Sequence, residues 1–557
     1  MKTYPLVISL AGAVLLGGCV GTSDTSDSRA EFTETRPPLP EQALAPDHAT
    51  KMQRHRLAGA VAPLSHVHKP LPLTVLENDR ENYGHFDDNP LKRVAEQPVS
   101  TFSIDVDTGA YANVRRMLME GRLPPKDAVR AEELINYFAY QDRGPAEEGQ
   151  PFAVNLQLGP TPWNAKTRLL RVAIKAEEVK TEDLAPANLV FLVDVSGSMN
   201  APDKLPLLKR SLKMLSREMD VDDRVSIVVY AGASGVVLEP TPGNQGAQIE
   251  QALAKLSAGG STNGGAGIQL AYAKAREAFI EDGINRVILA TDGDFNVGTV
   301  NQEALINLIE QQREAGIALT TLGFGRGNYN DHLMEQLADH GNGNYAYIDS
   351  LLEARKVLVE QVGGTLQTVA KDVKIQIEFN PALVSEYRLI GYENRMLKRE
   401  DFNNDRVDAG EVGAGHSVVA LYELALIGEG GERVEPLRYA AGTDKPDAKT
   451  TEIAFVKLRY KQPAQEQSQL LSYPLEVTNA IDRLSETSDD YRFSAAVAAF
   501  AQRLRGGNYL EGFDYAQIIK LARESRGDDA QGYRSEFLRV AGLAQSLQPQ
   551  NLAGTTD

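Results

Sequence analysis

Hydrophobic and polar positions divide this chain into regimes of different period. Between Asn188 and about Leu358, short apolar runs alternate with amphipathic stretches of helical period. The runs are Leu189–Val193, Val225–Tyr230, Val287–Ala290 and Ala318–Gly323, with a shorter one at Tyr345–Ile348. None has a polar face, which predicts strands covered on both sides. The stretches between them predict helices over Leu205–Met219, Ala247–Leu256, Gly267–Phe279, Gln302–Ala315 and Tyr329–Ala338. This βαβα rhythm predicts an α/β domain with a doubly wound, Rossmann-like parallel sheet.

The flanks read differently. Ser100 to Asp107 alternates as a strand, and Asp107-Thr108 offers an N-cap to a helix over Tyr111–Glu120. A second helix is expected over about Ala128–Tyr140, then two half-wet strands, Phe152–Leu158 and Leu169–Ile174. Beyond Leu358 strands return at Val373–Phe379, Tyr387–Leu389, Val418–Leu424 and Ile453–Tyr460. Helices follow at Tyr491–Leu504, Tyr515–Ser525 and Arg534–Leu547. Strands on both sides predict that the α/β unit is inserted in, or flanked by, a mainly antiparallel β domain with a C-terminal helical segment. One shared β domain and two separate ones both remain open. The segments are 98–185, an N-terminal α+β region; 186–362, the α/β domain; 363–475, β-rich; and 476–557, helical.

The start of the chain carries an address. Lys2 precedes an apolar segment, Leu6 to Leu16, that is too short to span a bilayer. Leu16-Gly17-Gly18-Cys19 resembles a bacterial lipobox, and Cys19 is the sole cysteine, so no intrachain disulfide is available. Residues 1–19 are therefore expected to be a lipoprotein signal peptide, with Cys19 acylated as the membrane anchor. By analogy with sorting in Gram-negative bacteria, Val20 favours the outer membrane, facing the periplasm. Residues 20–97 are rich in Ser, Thr, Asp and Pro without periodicity, the composition of a disordered tether. A net charge of −18 without a basic block argues against nucleic acid as a partner.

Candidate chemistry gathers where apolar runs end. The run Leu189–Val193 stops at Asp194, followed at alternate positions by Ser196 and Ser198. Open α/β sheets bind ligands at the carboxyl ends of their strands. A carboxylate with hydroxyls is a hard-oxygen set, suited to Mg²⁺, Mn²⁺ or Ca²⁺ rather than Zn²⁺ or Cu. A glycine-rich loop from Leu256 presents Thr262 ahead of a helix, with Ser261 as its substitute. The run Val287–Ala290 leads into Thr291-Asp292-Gly293-Asp294, with Asp294 a further candidate.

Asp-x-Ser-x-Ser, Thr and Asp in this order resemble the von Willebrand factor type A (VWA) domain and its metal-ion-dependent adhesion site. The resemblance implies that Ser196, Ser198 and Thr262 coordinate a divalent cation, Mg²⁺ foremost, while Asp194 and Asp292 act largely through bound waters. It also implies an acidic side chain of a partner protein as the last ligand. Ser103-Ile-Asp-Val-Asp-Thr, Asn342-Gly-Asn-Tyr-Ala-Tyr-Ile-Asp and Arg388-Leu-Ile-Gly-Tyr-Glu-Asn-Arg extend the likeness to a family of bacterial lipoproteins. Its members combine a VWA-associated N-terminal region, a VWA domain and a C-terminal region of unknown function.

Other chemistry finds less support. Asp107-Thr108-Gly109 matches the aspartic-protease triplet, but no second copy supplies the shared-proton partner. Asp105-x-Asp107 resembles a phosphatase nucleophile pair but lacks its βαβ setting. The expectation is a non-enzymatic, cation-dependent protein-binding module. A metal-dependent hydrolase using the same ion, or a scaffold with a structural ion, is the alternative.

Overall fold

The computed structural model describes residues 80–146, 149–180, 183–262, 264–293, 295, 302–437 and 451–548. Cys19 and the expected signal peptide lie outside them, as does Asp294. The N-terminal flank supplies β1 (Lys92–Arg93), β2 (Val99–Ser103), α1 (Gly109–Met119), α2 (Ala131–Asn136), β3 (Phe152–Thr161) and β4 (Asn164–Ala176). The central stretch runs β5 (Ala187–Asp194), α3 (Leu205–Leu215), β6 (Arg224–Tyr230), β7 (Ser234–Pro242), α4 (Gly246–Lys255), α5 (Gly264–Glu277), β8 (Ile284–Thr291), α6 (Gln302–Glu314), β9 (Ala318–Phe324), α7 (Asp331–His340), β10 (Tyr345–Ile348), α8 (Leu351–Arg355) and α9 (Val362–Leu366). The C-terminal flank adds β11 (Thr368–Phe379), β12 (Val384–Ile390), β13 (Gly410–Gly413), β14 (Ser417–Leu426), β15 (Glu452–Lys461), β16 (Gln469–Glu476), α10 (Asp489–Leu504), α11 (Tyr515–Glu524) and α12 (Tyr533–Leu547).

The central sheet has the order β10-β9-β8-β5-β6-β7. All its neighbours pair in parallel except β6 with β7. Strand β5 is buried at every residue because helices cover both of its faces. Leu189, Phe191 and Val193 pack with Leu208 and Leu212 of α3 and Ile249 of α4. Val190 and Leu192 face Ile268 and Ala271 of α5 and Leu305 of α6. The antiparallel edge strand β7 was not foreseen. It is mostly half-buried, and an edge strand with one wet side lacks the mainly apolar run that marks the others.

Both flanks contribute to two further sheets. One has the order β1-β12-β14-β4-β3, and the other β13-β11-β15-β16 with β2 also paired to β11. Val419 of β14 stands opposite Ala173 of β4, and Phe102 of β2 opposite Ile375 of β11. The two sheets share a core that includes Phe102, Val172, Ile375 and Val456. The α/β unit is thus inserted in a β domain built from both flanks. Alternate residues of β4, Leu169 and Ala173, face the opposite way into a second core with Val497, Phe500 and Phe537 of the C-terminal helices. That second cover is what buries β4 on both faces.

The expected tether over 20–97 ends earlier than its composition suggested. Arg80 N–H donates to Gly327 O at 2.9 Å, Asn82 N–H to Tyr329 O at 2.8 Å, and β1 pairs with β12. These residues are held by backbone and polar contacts rather than by an apolar face, so hydrophobic periodicity does not reveal them. Among the described residues no helix is long and apolar enough to cross a membrane.

Candidate metal centre

Strands β5 and β8 are parallel neighbours, with Val193 opposite Ala290, so Asp194 and Asp292 emerge side by side at their carboxyl ends. Both carboxylates are fully buried. Asp194 Oδ1 accepts from Ser196 N–H at 2.8 Å, and its Oδ2 accepts from Thr291 Oγ1 at 3.0 Å. Burial pushes the Asp194 carboxyl up to about 6, and the Asp292 charge adds to that, while the bonds from Ser196 and Thr291 oppose it. The Asp194 carboxylate is therefore held beside Asp292 in a buried site that disfavours its charge, an arrangement that a bound cation relieves.

The hydroxyls stand above this pair. Ser196 Oγ and Ser198 Oγ lie 3.0 Å apart, Ser196 buried and Ser198 exposed. The glycine-rich loop is tied to the same turn. Gly259 N–H donates to Val195 O at 2.8 Å, and Gly197 N–H donates to Gly260 O at 3.0 Å. These two bonds lie just ahead of Thr262, which is half-buried, whereas Ser261 is exposed. Gly260 has φ +88°, a conformation that favours glycine.

A third loop closes the edge. Gly293 has φ +87°, and a Cβ there would stand 2.3 Å from Asn330 N, so only glycine lets the Asp292 turn approach the loop before α7. Lys204, at the start of α3, donates to Asp292 Oδ2 at 2.8 Å and to Asn328 Oδ1 at 3.1 Å. Lys204 and Thr291 are the residues that sequence reasoning missed. Thr291 adjoins Asp292 and could have been noted; nothing in its local sequence singles out Lys204.

The residues present fit a hard divalent cation. Adjacent oxygens around octahedral Mg²⁺, with bonds of about 2.0–2.1 Å, lie about 3 Å apart, the separation of the two serine hydroxyls. Ser196, Ser198 and Thr262 would hold such an ion directly, with Asp194 and Asp292 behind them.

This sheet, with an acid-and-hydroxyl edge at the ends of β5 and β8, defines a VWA domain. Residues 188–361 match the von Willebrand factor type A domain family, and residues 77–171 match a von Willebrand factor family. Residues 364–547 match the family described as "Uncharacterized protein YfbK, C-terminal". The chain is 50% identical over 473 residues to "Uncharacterized protein YfbK" of Escherichia coli (strain K12), spanning 84% of this chain and 81% of that protein. It is 24% identical over 340 residues to "Uncharacterized protein sll0103" of Synechocystis, spanning 60% of this chain and 76% of that protein. Among solved structures, "von Willebrand factor type A from Catenulispora acidiphila" aligns with a TM-score of 0.39 and 15% identity over 71% of this chain and 91% of that one. The chain belongs to the bacterial VWA family of YfbK, with its C-terminal region of unknown function. VWA domains in general mediate protein–protein interaction and commonly bind a divalent cation at this edge.

Proposed function

We propose that the protein is a lipid-anchored component of the bacterial envelope whose VWA domain, loaded with a divalent cation, binds an acidic side chain of a partner protein. No catalytic step is involved. The observation that supports this is the pairing of Ser196 Oγ with Ser198 Oγ at 3.0 Å above two buried carboxylates. Anchoring through Cys19 and placement at the outer membrane rest on the Leu-Gly-Gly-Cys motif. When bound, the cation supplies a Lewis-acidic position that a partner carboxylate completes.

The chain's own residues set how that position behaves. Neutral hydroxyls contribute no charge, so the ion keeps most of its attraction for an incoming anion. Asp194 is locked by Ser196 N–H and Thr291 Oγ1, which fixes the floor of the site before a ligand arrives. Lys204 offsets the charge of Asp292 and lowers the total negative charge beneath the ion. Ser198, exposed, marks the side from which a partner approaches.

The test is capture from envelope extract by the detergent-solubilised full chain, in Mg²⁺ and in EDTA, with Asp292→Ala alongside. A protein retained by wild type only in Mg²⁺ supports the proposal. Identical capture in every lane refutes it.

A further inference from the structure

Residues 80–84 run along the loop at residues 325–330, just ahead of α7. Arg80 N–H donates to Gly327 O at 2.9 Å and Asn82 N–H to Tyr329 O at 2.8 Å, and Asn82 and Asn330 stand opposite each other as parallel neighbours. Asn82 Nδ2 also donates to Asn330 Oδ1 at 3.1 Å. In return Gly327 N–H donates to Glu81 Oε1 at 3.0 Å. The segment is a strap laid on the loop.

Glu81 holds the strap down. Its Oε2 accepts from Arg116 Nη2 of α1 at 2.8 Å, and its side chain is only 2% exposed. Arg116 lies 5.4 Å over the ring of Tyr347, whose hydroxyl donates to Gly325 O in the same loop. Farther along the chain, Asp88 Oδ1 accepts from Arg505 Nε at 2.6 Å and Asn89 Nδ2 donates to Gly391 O at 2.8 Å. The strap is therefore moored to the C-terminal flank on one side and continues toward Cys19 on the other.

The loop under the strap belongs to the metal edge. Asn328 Oδ1 accepts from Lys204 Nζ at 3.1 Å, and the same ammonium donates to Asp292 Oδ2 at 2.8 Å. The Asn330 backbone lies against Gly293 with no room for a side chain. Were the loop to withdraw, Lys204 would lose Asn328 and turn wholly to Asp292, opposing a cation more strongly. The Asp292 turn would also lose the wall that fixes it, and partners behind a metal's ligands set the ligands' geometry. Both changes weaken cation binding.

We propose that Glu81 is a positioning residue for the cation edge: with the strap around it, Glu81 clamps residues 325–330 against Lys204 and Gly293 and so sets the affinity for the cation. This rests on the cation-binding function proposed above. Because such coupling is reciprocal, a bound cation tightens the strap in turn.

The test uses the detergent-solubilised full chain, with isothermal titration of Mg²⁺ and deuterium exchange over residues 80–84 in Mg²⁺ and in EDTA. In wild type, Mg²⁺ is expected to slow that exchange. Glu81→Ala is expected to raise the Mg²⁺ Kd about three- to tenfold. Glu81→Gln keeps an oxygen for Gly327 N–H while losing the charge that faces Arg116, and is expected to retain wild-type affinity. Asn82→Ala removes only an exposed bond to Asn330, leaves folding intact, and is expected to raise the Kd about twofold or more. A Kd unchanged by Glu81→Ala and Asn82→Ala, even beside a lowered melting temperature in EDTA, overturns the clamp. So does exchange over 80–84 that ignores Mg²⁺, or an equal loss in Glu81→Gln and Glu81→Ala, which would assign the effect to Arg116. In each of these cases wild type still binds Mg²⁺ and the cation reading stands. Absence of Mg²⁺ binding by wild type overturns that reading, and the clamp with it.

Discussion

Lys204 Nζ stands 2.8 Å from Asp292 Oδ2, so an internal ammonium holds one of the two acids beneath the adhesion edge. Both side chains are at least nine-tenths buried. The lysine lies close enough to oppose an incoming cation while keeping Asp292 satisfied without one.

Lys204→Gln retains a donor for Asp292 and removes the positive charge. The expected outcome is tighter Mg²⁺ binding, on the order of tenfold, since one opposing charge within a few ångströms is worth about 1–4 kcal/mol at the effective dielectric of a protein. Isothermal titration with Mg²⁺ checks this. Weaker binding would mean that Lys204 orients Asp292 rather than taxing the site.

Ser198 is exposed, so Ser198→Ala is expected to change stability by less than about 0.5 kcal/mol. It removes a proposed ligand, so Mg²⁺ affinity is expected to fall at least roughly tenfold. Mg²⁺-dependent capture should fall with it. Urea melts and capture assays on the same preparation separate the two effects, and equal losses in both would assign Ser198 to folding.

Arg115 ties three regions together. From α1 it bonds Asp349 at 2.5 and 2.8 Å, Glu353 at 2.7 Å and Glu536 of α12 at 2.7 Å. Arg115→Leu leaves the buried Glu353 and Glu536 and the half-buried Asp349 without this partner, which costs about 3–5 kcal/mol. Denaturant titration is expected to show a lower midpoint. Hydrogen exchange should show α12 losing protection ahead of β5, because the core of β5 does not include Arg115.

His416 supplies a pH dependence. Burial, with Lys356 and Lys175 as positive neighbours, pulls its imidazole from 6.5 down to about 4, and its Nδ1 has no hydrogen-bond partner. The unfolded chain therefore takes up a proton between pH 6.5 and 4 that the folded chain refuses. Stability from this residue is intact above pH 6.5 and declines as pH falls toward 4, by up to about 1.4 kcal/mol per pH unit. His416→Gln is expected to flatten that part of the profile, measured as denaturation midpoints at pH 7.5 and 4.5. Parallel profiles would show that His416 stays neutral in neither state or in both.

The sequence by itself determined the parallel strands of the central sheet and the location of their carboxyl edge, though not its antiparallel strand β7. An unbroken apolar run that stops at Asp194 places a strand under two layers of helix and its acid at the rim, because burial on both faces leaves no room for alternation. The order Asp194, Ser196, Ser198, Thr262, Asp292 was legible for the same reason: each residue adjoins a strand end or a glycine turn. Tertiary structure decided the rest. That β2 joins β11 and that β4 joins β14 depends on partners far along the chain, and alternation within a strand carries no record of its neighbour. That Lys204 reaches Asp292, or that Glu81 meets Arg116 and Gly327, follows from distant segments docking on one another. An ammonium or a carboxylate in sequence looks solvated until packing removes its water, and only the assembled fold shows which charges were left facing one another.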